Sequence, residues 1–282
     1  MIIWIASYPK SGNTWVRSII SSLLYSKDGV HNFNQLNYID QYPVKKYFEH
    51  LTDDFYNLEV IKKNWIPSQQ SINSDRKIKF LKTHHIYCKF GENTFTDPIN
   101  TLGVIHVVRD PRNLLNSIKG HWSCDTYEDA KNKMLDVETS TGMDSKNDED
   151  YSFPVLISSW KNHYNNWKKV NKNYLLIRYE DLTKNTEHEL LRIIKYLQRF
   201  IKFNLDDKKI KNILRTTSFD YMKNMESKGL FGESNFNKKT GKLNTFFNKG
   251  PNNRWENLVD KKIIEDLEKN FLNEMRELNY IS

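Results

Sequence analysis

The chain opens with an unbroken apolar run, Ile2-Ile3-Trp4-Ile5-Ala6, followed by the polar stretch Ser7-Tyr8-Pro9-Lys10-Ser11-Gly12-Asn13-Thr14. Trp15, Val16, Ile19, Ile20, Leu23 and Leu24 then recur at helical spacing. A short continuous apolar run predicts a strand covered on both faces, as in a parallel sheet. The periodic run predicts a helix that packs back on that sheet through one face. Further strands are expected at Lys79-Phe80-Leu81, at Leu102 to Val108 and at Tyr174 to Tyr179. Between and after them, helical spacing predicts helices over 155–170, 186–197 and 206–215, and one closing helix carrying Ile263, Ile264, Leu267, Phe271, Met275 and Leu278. Asp110 and Pro111 suit the cap and first turn of another helix, whose apolar face is Leu114, Leu115, Ile118 and Trp122. Strands alternating with helices place the chain in the α/β class, with a central parallel β-sheet flanked by helices.

Two stretches lack a clean period. Residues 26–37 are polar and irregular and 38–74 read as short helices and loops; in these stretches Phe33, Tyr38, Tyr42, Tyr47, Phe48, Phe55, Tyr56 and Trp65 either line an acceptor pocket or pack a cover over the sheet. Residues 123–152 read as a mobile connection that could serve as a substrate lid, its acidic run at 144–150 being a solvated loop.

Composition adds a size and a charge. At 282 residues with 38% hydrophobic content, the chain can bury a sizeable core, and one domain over 1–282 is expected. A net charge of +8 and a pI near 9.1 favour an anionic ligand. Nucleic acid or a membrane surface would satisfy the same arithmetic, but the basic residues are diffuse and lack interleaved aromatics. Cys88 and Cys124 are too few for a disulfide framework. The first apolar run is too short and lacks the basic leader of a signal peptide, and no run approaches the roughly 20 apolar residues of a membrane span. A cytoplasmic protein without nucleic-acid or membrane partners is expected. No Asp, Glu and His set has metal-ligand spacing, so no metal is expected.

The chemistry converges on predicted strand ends, where open α/β sheets bind ligands. In the first loop, free backbone N–H groups, the positive helix end and the Lys10 ammonium meet where an anion could sit. Gly12 permits close approach, and Ser11, Asn13 and Thr14 add donors. A capped helix start is the plainer reading of the same residues. The next strand ends in Lys82-Thr83-His84-His85, a histidine pair that is either structural or suited to acid–base work. Arg109 ends the third, with Ser117 eight residues on. Arg109 could grip a phosphate bidentately or form a strand-end salt bridge.

The order of Tyr8-Pro9-Lys10-Ser11-Gly12-Asn13-Thr14-Trp15 differs from a Walker A loop, whose lysine follows the second glycine. It resembles the 5′-phosphosulfate loop of the sulfotransferases that use 3′-phosphoadenosine-5′-phosphosulfate (PAPS), usually close to Tyr-Pro-Lys-Ser-Gly-Thr-Thr-Trp. Four further segments resemble that family in its order. Lys82-Thr83-His84 matches the family's Lys-Thr-His, which implies His84 as general base and Lys82 as a sulfate-contacting cation; His85 receives no role. Arg109 and Ser117 match the 3′-phosphate motif. Tyr179-Glu180-Asp181-Leu182 matches the segment whose tyrosine approaches adenine, with Trp15 as its stacking partner. Thr216-Thr217-Ser218-Phe219 resembles the adenine-contacting Thr-Ser-Phe segment, which implies Thr217 and Phe219.

The segment from Phe246 to Trp255 resembles the loop that covers the 3′-phosphate, implying Phe247, Lys249 and Gly250. It departs from the family pattern at Asn248, in place of an arginine, and at Asn253, in place of a glycine. Arg254 is the candidate to compensate. The ending Met275-Arg276-Glu277-Leu278-Asn279-Tyr280 looks like that of bacterial sulfotransferase domains. The resemblance implies a P-loop NTPase-like sandwich and sulfuryl transfer from PAPS to a hydroxyl or amine, with Lys10 stabilising the leaving oxygen. The acceptor stays open among small molecules, glycans and peptide-linked hydroxyls. The alternatives are a P-loop small-molecule kinase and a non-enzymatic polyanion-binding module.

Overall fold

The computed structural model describes residues 1–142, 153–170, 173–233, 236–237, 242–243, 245–250 and 253–282. The chain runs β1 (Ile2–Ser7), α1 (Asn13–Tyr25), a 3-10 turn at Phe33–Tyr38, β2 (Asp40–Gln41), α2 (Leu58–Lys63), α3 (Trp65–Ile72) and β3 (Lys79–Thr83). A small hairpin, β4 (Lys89–Phe90) and β5 (Asn93–Thr94), precedes β6 (Thr101–Val108), α4 (Pro111–His121) and α5 (Tyr127–Leu135). Then come β7 (Ser140–Thr141), β8 (Val155–Leu156), α6 (Trp160–Lys168), β9 (Tyr174–Arg178), α7 (Tyr179–Lys184) and α8 (Thr186–Leu197). The remainder is α9 (Asp207–Thr216), α10 (Phe219–Ser227), the hairpin β10 (Phe236–Asn237) and β11 (Lys242–Leu243), α11 (Lys261–Asn270) and α12 (Leu272–Glu277).

Five strands form one sheet in the order β2-β3-β1-β6-β9, all parallel. β1 is central, and alternate residues face opposite sides. Ile3 and Ile5 pack with Val16, Ile19, Ile20 and Leu23 of α1, while Ile2, Trp4 and Ala6 pack with Tyr42, Phe48, Trp65, Phe95 and Trp167. Burial on both faces is why the strand is apolar at every position. Because β3 and β6 flank β1 in parallel, the ends of all three open on the same edge, bringing Ser7, His84 and Arg109 together.

The expected elements stand with four corrections. Residues 155–170 do not form one helix: β8 pairs with β7, and α6 starts at Trp160, where the Ser159 hydroxyl accepts the Asn162 N–H. The closing helix is broken at Phe271, which is buried 5.0 Å from the Trp160 ring and turns the axis between α11 and α12. The connection at 123–142 is ordered around α5, held by a Thr126–Asp129 capping box and by the burial of Ala130 and Met134. The acidic run at 144–150 lies outside the described residues. β2, too short to carry a period, adds an edge strand in register with β3 through Asp40 opposite Leu81 and Gln41 opposite Lys82.

Candidate active site

The turn from β1 into α1 is shaped by two left-handed residues, Lys10 at φ 67° and Gly12 at φ 102°. A side chain at Gly12 would meet the Tyr179 ring at 2.7 Å, so both backbone and packing demand glycine there. Gly12 also supplies no side-chain cap, which leaves first-turn amides of α1 for another acceptor. Asn13 braces the turn instead: its amide donates to the Ile5 carbonyl at 3.0 Å and to Ser7 Oγ at 3.2 Å.

One cavity of about 910 Å³ lies over this edge of the sheet and is lined by Lys10, Gly12, Asn13, Thr14, Trp15, Lys82, His84, Arg109, Ser117, Tyr179, Phe219, Phe247, Lys249 and Gly250. Residues drawn from six separate segments therefore share one space. Ser11 is buried beside it, and its Oγ, like Trp15 Nε1 and Arg109 Nε, has no hydrogen-bond partner among the described residues. Thr217 is fully buried, its hydroxyl donating to the Ile213 carbonyl at 2.8 Å, and it does not line the cavity.

His84 is fixed by its Nδ1, which lies 2.8 Å from the Ser7 carbonyl oxygen. A carbonyl only accepts, so Nδ1 carries the proton and Nε2 keeps its lone pair. Burial, then the Lys82 charge, pushes the imidazole down to about 3. The ring is consequently neutral across the physiological range. His85 is a different case: it stacks on Phe95 at 4.2 Å in the core and donates from Nδ1 to the Ile86 carbonyl. Its role is structural.

The cations are held at a cost in charge. Burial, then Arg109, lowers Lys10 to about 8, and burial, then Arg17, lowers Lys82 to about 8. The Lys10 ammonium sits 4.0 Å from the centroid of Phe246. Such a cluster favours an anion, which would offset both desolvation and mutual repulsion. Arg109 donates to the Lys10 carbonyl at 3.2 Å and lies 4.1 Å from the Tyr179 ring centroid. Tyr179 meets Trp15 edge-on, at 5.7 Å and 70°, in place of the expected stack. Gly250, at φ 51°, lets Phe219 approach to where a Cβ would lie 2.5 Å away.

At the far end, Asn248 is exposed, and its carbonyl accepts from Lys223. Arg254 lines a smaller adjoining cavity of about 270 Å³ together with Arg109, Tyr179, Gly250 and Asn253. Asn253 is buried and donates to the Asn113 carbonyl at 2.8 Å and to Ser117 Oγ at 3.4 Å. The asparagine thus ties the loop after Gly250 to α4. Arg112, by contrast, is consumed by Asp110, Glu268 and the Tyr280 carbonyl.

Two residues escaped sequence reasoning. Arg17, 3% exposed, forms an ion pair with Glu233 at 2.9 Å and donates to the Leu36 and Ile39 carbonyls. Glu233 also approaches Lys82 at 3.9 Å, and although burial opposes its ionisation, Lys82 and Arg17 hold its carboxyl below the ordinary value. A lone arginine among the apolar residues of α1 was the available signal for Arg17. Glu233 had none. Of the two readings open for the aromatics at 33–65, the structure favours the cover over the sheet: Tyr42, Phe48 and Trp65 are fully buried, Tyr38 and Tyr56 are exposed, and none of the eight lines the cavity. Tyr42, Tyr47, Phe48, Phe55 and Trp65 cover the second face of the sheet, while Phe33 packs with Phe231 and Phe247. No metal-binding group of His, Cys, Asp and Glu occurs among the described residues, and no described helix is long and apolar enough to cross a membrane.

Comparison with known proteins agrees in extent and in kind. Human sulfotransferase 1E1 is 23% identical over 288 residues, covering 97% of this chain and 83% of the human protein. Luciferin sulfotransferase of Photinus pyralis is 26% identical over 245 residues, covering 79% of this chain and 56% of the relative. Among solved structures, retinol dehydratase in complex with retinol and PAP superposes with a TM-score of 0.61 at 18% identity, covering 97% of this chain and 81% of that one. Mouse sulfotransferase SULT7A1 complexed with PAP gives 0.58 at 18% identity, covering 97% and 84%. These neighbours share the P-loop-like α/β fold. The sulfotransferase domain model matches residues 2–279, almost the whole chain, and the chain accordingly belongs to the sulfotransferase domain family.

Proposed function

We propose that this sulfotransferase moves a sulfuryl group from PAPS to an acceptor hydroxyl or amine, with His84 as general base. The observation that carries the reading is the His84 tautomer: a proton held on Nδ1 by the Ser7 carbonyl, and a free Nε2 in a cavity shared with Lys10 and Lys82. PAPS, when bound, supplies an activated sulfuryl group and a leaving group that needs only charge stabilisation. The orphaned buried donors Ser11 Oγ, Trp15 Nε1 and Arg109 Nε, with the uncapped start of α1, fit such a polyanionic nucleotide.

The residues divide by position on the sheet. Lys10, Ser11, Gly12, Asn13 and Thr14 would hold the phosphosulfate end at β1. Arg109, Ser117, Lys249 and Gly250 would hold the 3′-phosphate end at β6, with Arg254 replacing the arginine absent at Asn248. Trp15, Tyr179, Phe219 and Phe247 would enclose the base, Thr217 acting from below by fixing the α9–α10 junction. Lys10 would neutralise charge on the leaving oxygen, Lys82 charge on the sulfuryl oxygens, and His84 would take the acceptor proton. The two free cysteines suit a reducing cytoplasm.

The assignment is tested by thermal shift with PAP and with ATP, followed by mass spectrometry of an acceptor pool incubated with PAPS. PAP should stabilise the protein well beyond ATP, and products should gain one sulfuryl group. Stabilisation by ATP alone would support a kinase. Absence of both donor binding and donor hydrolysis would sink the reading.

The charges also set a pH profile. Lys10 and Lys82 are protonated below about 8 and lose their charge above it, whereas His84 stays unprotonated down to about 3. For the free enzyme, kcat/KM should therefore be flat from mild acid to neutrality and fall as pH rises through about 8. Bound polyanion should move the limb in kcat to higher pH. A limb that falls toward acid between pH 6 and 7 would mean that His84 titrates near its ordinary value of about 6.5.

A further inference from the structure

The segment after Gly250 is fastened to α4 through both hydrogen-bonding ends of Asn113. The Asn113 backbone carbonyl accepts from Asn253 Nδ2 at 2.8 Å, and its side-chain Oδ1 accepts from the Trp255 N–H at 3.2 Å. The Asn253 N–H closes a turn on the Gly250 carbonyl at 3.1 Å. Two of these three contacts use only the backbone of the segment, so both survive removal of the Asn253 side chain.

The side chain itself acts on a second atom. A carbonyl only accepts, so the Asn253 atom facing Asn113 is the amide nitrogen, and its other hydrogen serves Ser117 Oγ at 3.4 Å. Ser117 lies four residues after Asn113 on α4. A serine within a helix commonly returns its hydroxyl hydrogen to the carbonyl four residues back. Here Asn253 occupies that carbonyl, and Ser117 accepts from the same amide. Among the described residues Ser117 Oγ makes no other hydrogen bond, so its own hydrogen is unspent. The residue is half-buried and lines the large cavity. Asn253, Gly250 and Arg109 line both cavities, which places the asparagine where the two meet.

From this arrangement, and resting on the proposal that Ser117 holds the 3′-phosphate, we infer that Asn253 is a positioning residue for that phosphate, its amide keeping the Ser117 hydroxyl hydrogen off α4 and available to the cavity. The glycine of the family pattern has no side chain with which to do this. A phosphate oxygen is the acceptor that the hydroxyl lacks, and the bond between them is charge-assisted. Without the amide, the hydroxyl is free to turn back to the Asn113 carbonyl, and a bound phosphate has to compete with that contact. A nucleotide without the 3′-phosphate offers only a neutral hydroxyl there, a weaker acceptor, and gains little from the orientation.

The test is calorimetric titration with PAP and with 5′-AMP, which lacks the 3′-phosphate, of the native protein, Asn253→Ala, Ser117→Ala and the double variant. Ser117→Ala should weaken PAP by about tenfold, the size of one charge-assisted hydrogen bond. Asn253→Ala should weaken it by about three- to tenfold, because the hydroxyl is misdirected and not lost. The double variant should match Ser117→Ala within about twofold, and 5′-AMP affinity should change by less than about twofold throughout. Equal weakening of PAP and 5′-AMP by Asn253→Ala, an undiminished effect of Asn253→Ala in the Ser117→Ala background, or unchanged PAP affinity in Asn253→Ala overturns the inference. A native protein that binds PAP no more tightly than 5′-AMP, or a Ser117→Ala variant that binds PAP normally, overturns the proposed 3′-phosphate end instead. Asn253→Gly removes the same amide and takes the place of Asn253→Ala should alanine disturb the fold, which the melting temperature without ligand reports.

Discussion

Replacing His84 with alanine should lower kcat by about 100- to 10,000-fold and leave PAP affinity essentially unchanged. The expectation follows from the separation of its two nitrogens. Nδ1 is committed to the Ser7 carbonyl, and only Nε2 is left for chemistry. The phosphate-side turn does not need the ring, because Ser7 Oγ is independently held by Asn13. A second variant, His84→Asn, can restore a donor near the Ser7 carbonyl but supplies no base. It should be as slow as His84→Ala if proton transfer is the function of the ring. Single-turnover rates and calorimetric titration with PAP read the two quantities separately. Equal loss of rate and affinity in the alanine variant, with recovery of both in His84→Asn, would make His84 a brace for the turn.

The second large effect is expected at Lys10. Lys10→Ala should lower kcat by about 100- to 1,000-fold, the range for removing one preorganised charge-stabilising donor. Alanine keeps the Cβ and so the same backbone strain at φ 67°, and the carbonyl that accepts from Arg109 is retained. The comparison is therefore of an ammonium against none. Its effect on stability should have the opposite sign. Because burial lowers the Lys10 pKa to about 8, the charged form is disfavoured by folding, and the variant without ligand should melt no lower than the native protein. Activity lost without stability lost is the signature of a group retained for function. Near-normal transfer by Lys10→Ala would remove the loop from the mechanism.

Much of this site was legible because its parts are local. The strand, turn and helix from Ile2 to Tyr25 follow from one apolar run, one period and a lysine and glycine placed between them. His84, Arg109 and Tyr179 could be marked because each closes or directly follows a buried strand, and parallel strands deliver such residues to one edge. Thr217 shows the limit of motif matching. Its segment sits where expected, yet the hydroxyl is spent on the Ile213 carbonyl and lies below the cavity. The aromatic residues between 33 and 65 show another limit. Their spacing left a pocket wall and a cover over the sheet both open, and burial of large rings against Trp4 on the second face of the sheet decides for the cover. The broken closing helix has the same cause, since Phe271 serves the Trp160 contact ahead of a straight axis.

By itself the sequence determined which stretches form strands, where the turn between β1 and α1 falls, and which cations and histidine stand at the strand ends. These depend on backbone preferences and hydrophobic period, which act over a few neighbouring residues. Only the tertiary structure decided that Gly12 must clear the Tyr179 ring and that Arg254 shares a cavity with Arg109. It alone set Glu233 between Arg17 and Lys82, joining residues 216 positions apart. Nothing in the residues flanking either partner encodes such a pairing. It follows from the closure of the whole chain, when burial strips water from charges and obliges each to find an opposite one.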